Sequence, residues 1–211
     1  MPVRLGDAVV IETFLFDMGN VLVHFSHQRM CEQLATVCGC HAETMRAIMF
    51  DEGYEGELER GEITDEEFQQ RLQARFNRPL DLAKLKRAAS DIFTLNAPMI
   101  PILQSLRRQN KRLVLLSNTS SAHIEFVRSE FEVLNYFHDF VLSYEVGAMK
   151  PDAAIFQAAL QKIECVPEHC FYTDDIAPYV EMGRSFGLQA EIFTTAAALQ
   201  QQLTALGIAI G

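Results

Sequence analysis

Five short apolar runs punctuate this chain, and between most of them the apolar residues change from a continuous run to a helical spacing. The runs cover residues 9–16, 113–116, 140–142, 170–173 and 191–193, and each ends in polar or turn residues. Runs that are apolar on both faces fit strands of a parallel sheet covered on both sides. The segments between them read as helices: 98–109 carries Ile100, Leu103 and Leu106, 153–163 carries Phe156, Ala159, Leu160 and Ile163, and 177–186 and 196–206 behave alike. Parallel neighbours need a crossover connection, and a helix is the usual one. The alternation therefore predicts an α/β fold, a doubly wound parallel sheet of Rossmann type with about five strands, whose ligand site lies at the carboxyl ends of the strands.

One interval breaks that rhythm. From about residue 26 to about residue 93 only helical periodicity is visible, first at Met30, Leu34 and Val37, then over 43–50, 65–76 and 82–92. Thr64 with Glu67 three residues later has the spacing of a capping box, which places a helix start there. A connection of this length is not a loop, so the spacing predicts an inserted helical cap over 23–94 on a core made of 1–22 and 95–211. Inserted after the first strand, the cap would overhang the strand ends. No internal repeat or low-complexity tract is evident, and the Gln200–Gln202 run reads as an exposed helix face.

Composition excludes several partners. The net charge of -10, from 28 acidic against 18 basic residues, comes without any basic block, so neither nucleic acid nor an anionic membrane is an expected partner. No signal-like segment or bilayer-length apolar run is present, and the expected address is cytoplasmic. Five cysteines form no dense framework and read as reduced thiols. Cys38, Cys40 and His41 are soft zinc ligands, yet no second ligand pair at finger-like spacing accompanies them; they read as core or helix-end residues.

Four short pieces fall at predicted strand ends: Asp17 in FLFDMGNVLV, Ser117 and Asn118 in LVLLSN, Lys150 in GAMKPDAAIF, and Asp174 and Asp175 in CFYTDD. Singly, each is ordinary cap or turn chemistry. Together they suit phosphoryl transfer. Converging carboxylates repel and call for a hard divalent cation, for which Mg²⁺ and oxygen ligands match. The cation and Lys150 would neutralise charge on the phosphoryl oxygens, Ser117 would donate a hydrogen bond, and Asp17 could attack phosphorus to give an aspartyl phosphate that water hydrolyses.

In this order the pieces resemble the four signature motifs of the haloacid dehalogenase superfamily: FLFDMGNV the first, LLSNTS the second, MKPDAAIF the third and FYTDD the fourth. The insertion is similar to the small helical cap of the subclass that contains haloacid dehalogenases, sugar-phosphate mutases and sugar-phosphatases. The resemblance implies a hydrolase with Asp17 as nucleophile, Ser117 and Lys150 in catalysis, Gly19, Asn20, Asn118 and Lys150 around the substrate, and Asp17, the Gly19 carbonyl, Asp174 and Asp175 around Mg²⁺. It implies a small phosphorylated metabolite as substrate and a monomer or homodimer.

One departure matters. Most phosphatases of the superfamily carry a second aspartate two residues after the nucleophile, as acid for the leaving group and base for water, and here that position is Gly19. The carbonyl remains, while the proton-transfer group, which is typically worth about two to four powers of ten, does not. A substrate with a good leaving group, such as a sugar 1-phosphate, would need it less. A branch with an Asp-x-Gly-Asn-Val first motif is similar to this stretch, includes phosphatases acting on glucose 1-phosphate, and shares the look of GELERGEITDEEF. Alternatively His24, His27 or a water substitutes. A carbon–halogen hydrolase acting on 2-haloacids would use the same aspartate without metal, but such enzymes lack the acidic pair of the fourth motif. A non-catalytic binding module is the remaining reading, since Ile176 and Tyr179 stand where similar phosphatases often have polar residues and Pro178 stiffens the loop. Glu55, Glu59 and Asn96 are polar enough to contact a sugar, and an exposed cap surface explains them equally well.

Overall fold

The computed structural model describes residues 10–210. In chain order the elements are β1 Thr13–Phe16, β2 Val23–His24, α1 His27–Cys38, α2 Ala42–Arg46 with a π turn to Asp51, α3 Tyr54–Glu59, α4 Asp65–Phe76, α5 Leu82–Ser90, β3 Thr94–Leu95 and α6 Met99–Arg108. They continue with β4 Arg112–Ser117, α7 Ser121–Glu130, β5 Asp139–Leu142, α8 Ser143–Val146, α9 Ala153–Leu160, β6 Cys170–Asp174, α10 Ala177–Ser185, β7 Gln189–Ile192 and α11 Ala196–Ala205. The strands form a five-stranded sheet in the order β5-β4-β1-β6-β7, parallel throughout. β1 is central, so the order reverses beside it and the crevice beyond its carboxyl end is where such sheets bind ligands.

Successive side chains of a strand face opposite sides of the sheet, and two cores result. Phe14 and Phe16 of β1 pack with Leu113, Leu115 and Phe171 on one face, and Leu15 packs with Val114, Leu116 and Tyr172 on the other. A third core, built on Met30, Leu34, Met45, Phe68, Leu72 and Leu85, holds the inserted helices together. The expected capping box is present: Thr64 Oγ1 accepts from Glu67 N–H, and a Glu67 carboxylate oxygen accepts from Thr64 N–H at 2.8 Å. Cys38 is buried in this third core and His41 is the N-cap of α2. All five cysteines are free thiols.

β2 and β3 pair antiparallel as a two-residue ribbon through which the chain leaves and re-enters the core, and we place the domain boundaries there. From this ribbon the cap folds down on two sides. Gly61, after α3, adopts φ +66 and lies so close to the backbone of Tyr144 that a Cβ would overlap the Tyr144 carbonyl oxygen. Opposite, α5 meets α7: Lys86 Nζ bridges Asp65 at 3.1 Å and Glu125 at 2.7 Å, Ser121 Oγ donates to Asp65, and Arg87 pairs with Glu130.

Some elements differ from the expected bounds. The first strand begins at Thr13, not at 9; Val9 lies outside the described residues, while Glu12 N–H still donates to His169 O at 2.8 Å. The last runs Gln189–Ile192 rather than 191–193, because it is an edge strand with only Ala190 buried and apolar content does not mark its start. α7 and α3 carry no clean apolar stripe in the sequence. α7 buries Ala122, His123 and Ile124 in succession, being sandwiched between sheet and cap, and α3 buries no residue fully. No helix among the described residues is long and apolar enough to cross a membrane.

Candidate active site

Asp17 follows directly on β1, and its N–H donates to Thr173 O, extending the ladder beyond the strand. Its side chain is nearly buried, at 10% exposure. Lys150 arrives from the loop after α8, buried, with Nζ 2.7 Å from Asp17 Oδ1, 2.6 Å from Asp174 Oδ2 and 3.0 Å from Leu116 O. These three acceptors use the three protons of an ammonium group. Asn118 fixes the lysine from behind: its Oδ1 accepts from Lys150 N–H at 2.7 Å and its Nδ2 donates to Lys150 O at 3.0 Å. The Lys150–Pro151 peptide is cis.

Asp174 is fully buried at the end of β6, and both oxygens are engaged: Oδ2 also accepts from the Tyr172 hydroxyl at 2.6 Å, and Oδ1 from Ile176 N–H at 2.9 Å. Asp175 is half-buried and accepts from Asn20 Nδ2 at 3.0 Å. Oxygens of Asp17, Asp174 and Asp175 lie within 4.8 Å of one another. Three carboxylates converge here with one lysine paired to two of them, and their ligand atoms are all oxygen, so the set fits a hard divalent cation such as Mg²⁺. The hydrogen bonds divide the labour. Asp17 and Asp175 each keep an oxygen outside these hydrogen bonds, whereas both oxygens of Asp174 are engaged.

Electrostatics follow from burial. Desolvation pushes the Asp17 carboxyl up to about 7 against the opposing pull of Lys150. Burial would lower the Lys150 ammonium, but Asp17 and Asp174 outweigh it and hold the group above its ordinary value, so it remains charged. A bound cation would add positive charge beside Asp17 and return it to the ionised form.

Above this floor lies a cavity of about 50 Å³ walled by Gly19, Asn118, Thr119 and His123 from the core and by Phe25, His27, Glu55 and Glu59 from the cap side. His123 Nε2 sits 3.2 Å from Ala89 O; a carbonyl only accepts, so this nitrogen carries the proton. Burial lowers His123 to about 4, and the ring is neutral. Glu55 is only 13% exposed at its side chain and lies 3.7 Å from His27, whose pKa burial lowers. Burial pushes Glu55 up to about 8 and Glu59 up to about 7.

The structure brings Asp17, Lys150, Asp174 and Asp175 together as expected from the strand ends. Other expected residues serve differently in this conformation. Ser117 Oγ donates to Asn118 O, and the Asn118 side chain is committed to the Lys150 backbone. Asn20, at φ 54, holds Asp175. Asn96 donates to Val21 O and so braces the hinge. His24 is exposed on β2, away from the cavity wall, while His27 lines it. Tyr179 lays its ring over Lys150, 5.3 Å from Nζ. Tyr172 went unread in the sequence although its signal was there: two residues before Asp174 on a strand, it faces the same side.

A buried aspartate–lysine pair beside further acids, at the switch point of a doubly wound sheet and under a helical lid, defines a capped α/β fold with a carboxylate at the end of its central strand. The chain belongs to the haloacid dehalogenase-like hydrolases, whose family profile matches residues 11–187. It is 24% identical over 204 residues to a D-ribitol-5-phosphate phosphatase of Bacteroides thetaiotaomicron, covering 93% of this chain and 98% of that one. A crystal structure of a family enzyme from Bacteroides thetaiotaomicron, in complex with magnesium and inorganic phosphate, superposes with a TM-score of 0.77 at 23% identity over 88% of this chain and 95% of that one. A predicted hydrolase of the family from Porphyromonas gingivalis gives 0.77 at 23% identity over 93% and 98% of the two chains. These superpositions confirm the fold.

Proposed function

We propose that the protein is a Mg²⁺-dependent phosphatase that hydrolyses a small phosphorylated metabolite of the sugar or sugar-alcohol class through an aspartyl phosphate on Asp17. One observation carries the reading: the Asp17 carboxylate stands at the end of the central strand with Lys150 2.7 Å away and two further acids beside it. Lys150 attracts the phosphoryl group and offsets its charge, and Asp174 with Tyr172 holds the lysine in place. Asp17, the Gly19 carbonyl and Asp175 would hold Mg²⁺, which when bound polarises the phosphoryl oxygens and neutralises developing charge. Asp17 takes the phosphoryl group, and water returns it as inorganic phosphate. Ser117 would have to turn its hydroxyl from Asn118 to reach the phosphate.

The acidic cluster weighs against a carbon–halogen hydrolase, because three converging carboxylates on one lysine call for a cation that such a reaction does not use. The cap supports a polyhydroxylated substrate, since the Glu55 and Glu59 carboxylates in the cavity wall accept hydrogen bonds from hydroxyls. The relative named for D-ribitol 5-phosphate supports a sugar alcohol as readily as the first motif supports a sugar 1-phosphate. The test is a phosphate-release screen over phosphorylated sugars and alditols with Mg²⁺. Release that EDTA abolishes is the expected result; halide release from a 2-haloacid in EDTA, or silence over the whole panel, overturns the proposal.

A further inference from the structure

Gly19 leaves the floor of the site without a proton-transfer group, and the structure closes that position to one. A Cβ on Gly19 would stand 2.9 Å from Phe25 Cε1. Phe25 would have to shift to admit a side chain there, and its ring packs on His27 at 4.9 Å and Phe93 at 6.3 Å between centroids. The other core groups are spoken for as well. Lys150 donates all its protons, Asp174 accepts three hydrogen bonds, and His123 is neutral and donates its Nε2–H to Ala89 O.

The cap supplies what the floor lacks. Glu55 and Glu59 lie four residues apart on one face of α3, and both line the cavity that Gly19 and Asn118 close from below. Of the two, Glu59 is the one whose charge is felt by Lys150, Asp17 and Tyr179, whereas Glu55 faces His27. Among the described residues Glu59 has no hydrogen-bond or ion-pair partner, although its side chain is turned inward. The contact of Gly61 on Tyr144, two residues further along, keeps this end of α3 pressed to the core.

We propose that Glu59 is the general acid and base of the reaction, a catalytic residue delivered from the cap to the leaving-group side of Asp17. The proposal rests on the phosphatase reading above. In the first step a carboxylate oxygen of Asp17 bonds to phosphorus, the bond from phosphorus to the leaving oxygen breaks, and the Glu59 proton passes to that oxygen, which departs as an alcohol. In the second, water attacks phosphorus, its proton passes to the Glu59 carboxylate, and the Asp17–phosphorus bond breaks to release inorganic phosphate and restore both acids. A proton is available near neutral pH because burial holds Glu59 near 7. The charged and titratable groups around it are Glu55 and Arg60 on its own segment, His27 on α1, Asp65 on α4, Lys86 on α5, His123 on α7, and Asp17, Lys150 and Tyr179 below. With the acid on the cap, proton transfer is in place only when the cap is down.

The experiment compares wild type, Glu59→Gln and Glu59→Asp, with Mg²⁺, on 4-nitrophenyl phosphate and on an alditol phosphate. The aryl leaving group needs no proton; the alkyl one does. Expected for Glu59→Gln is a loss of about two to four powers of ten in kcat on the alditol phosphate. On the aryl ester a burst of one nitrophenolate per enzyme should precede slow turnover, because the aspartyl phosphate still forms but water lacks its base. The alkaline limb of the kcat/KM profile on the alditol phosphate should vanish in Glu59→Gln and survive, at a lower rate, in Glu59→Asp. Equal losses on both esters without a burst, a change in KM alone, or an unchanged pH profile in Glu59→Gln would overturn the assignment while leaving the phosphatase reading standing. Wild type inert on both esters would overturn both.

Discussion

The floor and the roof of this site are built on opposite principles. On the floor nearly every polar atom is spoken for: Lys150 reaches three acceptors, Asp174 takes three donors, and Asn118 clamps the lysine backbone from both sides. On the roof Glu55 and Glu59 hang from a six-residue helix with no bond to each other, and their carboxyls are pushed upward by burial. The difference teaches where each kind of chemistry can be kept. A nucleophile, the role proposed for Asp17, needs a fixed line of attack, which a position after a central strand in a saturated network provides. A proton carrier needs an unpaired group close to its switching point, and an unpaired acid is better tolerated on a cap helix than in the main core.

Breaking the floor should have the largest effects. Asp17→Asn is nearly isosteric and should lower phosphate release by about four powers of ten or more while circular dichroism and melting temperature stay close to wild type. Retained turnover would sink Asp17 as nucleophile.

Removing the lysine tests the saturated network itself. Lys150→Met would leave Asp17 and Asp174 buried beside each other with no cation, and the stability measured by urea unfolding should fall by about 3–5 kcal/mol. A fall below about 1 kcal/mol, the range of exposed pairs, would mean that the ion pair does not organise the floor.

A smaller effect should come from the seam between floor and roof. Gly61→Ala places a Cβ on the Tyr144 carbonyl and forces φ +66 on a non-glycine residue, so α3 must lift. A stability loss of about 1–3 kcal/mol is expected. Cleavage by protease near residues 52–62 should increase, and turnover should fall more than substrate binding. Unaltered protease sensitivity would show that this contact does not hold the cap down.

The smallest change should be in the roof alone. Glu55 holds its proton to about 8 when folded and loses it at its ordinary, lower value when unfolded. The folded state thus binds more protons in that interval, so this group's contribution makes stability fall as pH rises through it. Glu55→Gln should flatten that slope, raising the melting temperature at pH 8 by about 2–4 °C for each kcal/mol of relief and leaving pH 5 nearly unchanged. An equal shift at both pH values would mean that desolvation of this carboxyl is not the cause.

The legibility of the molecule in its sequence follows a similar division. β1, β4 and β6 are buried on both faces and announce themselves as apolar runs, and the acids and the lysine follow at their ends or in the loops beyond. The start of α4 is written in Thr64 and Glu67. α7 escaped because it is buried on more than one side and shows no stripe, and α3 because it buries nothing fully. The two-residue strands of the hinge are too short to display a period at all.

Whatever depends on short-range pattern, then, the sequence by itself determined: the parallel sheet, the inserted helices, and the meeting of Asp17, Lys150, Asp174 and Asp175 at one edge. Strand and helix periods are local, and a doubly wound sheet has only one crevice in which strand ends meet. Only the tertiary structure decided that Asp174 serves Lys150, that Phe25 fills the space beside Gly19, and that Glu55 and Glu59 both wall the cavity above Gly19. Those facts depend on how two separately cored units dock through Gly61 on Tyr144 and α5 on α7. Contacts between side chains far apart in sequence are fixed by shape and packing, which no local propensity encodes.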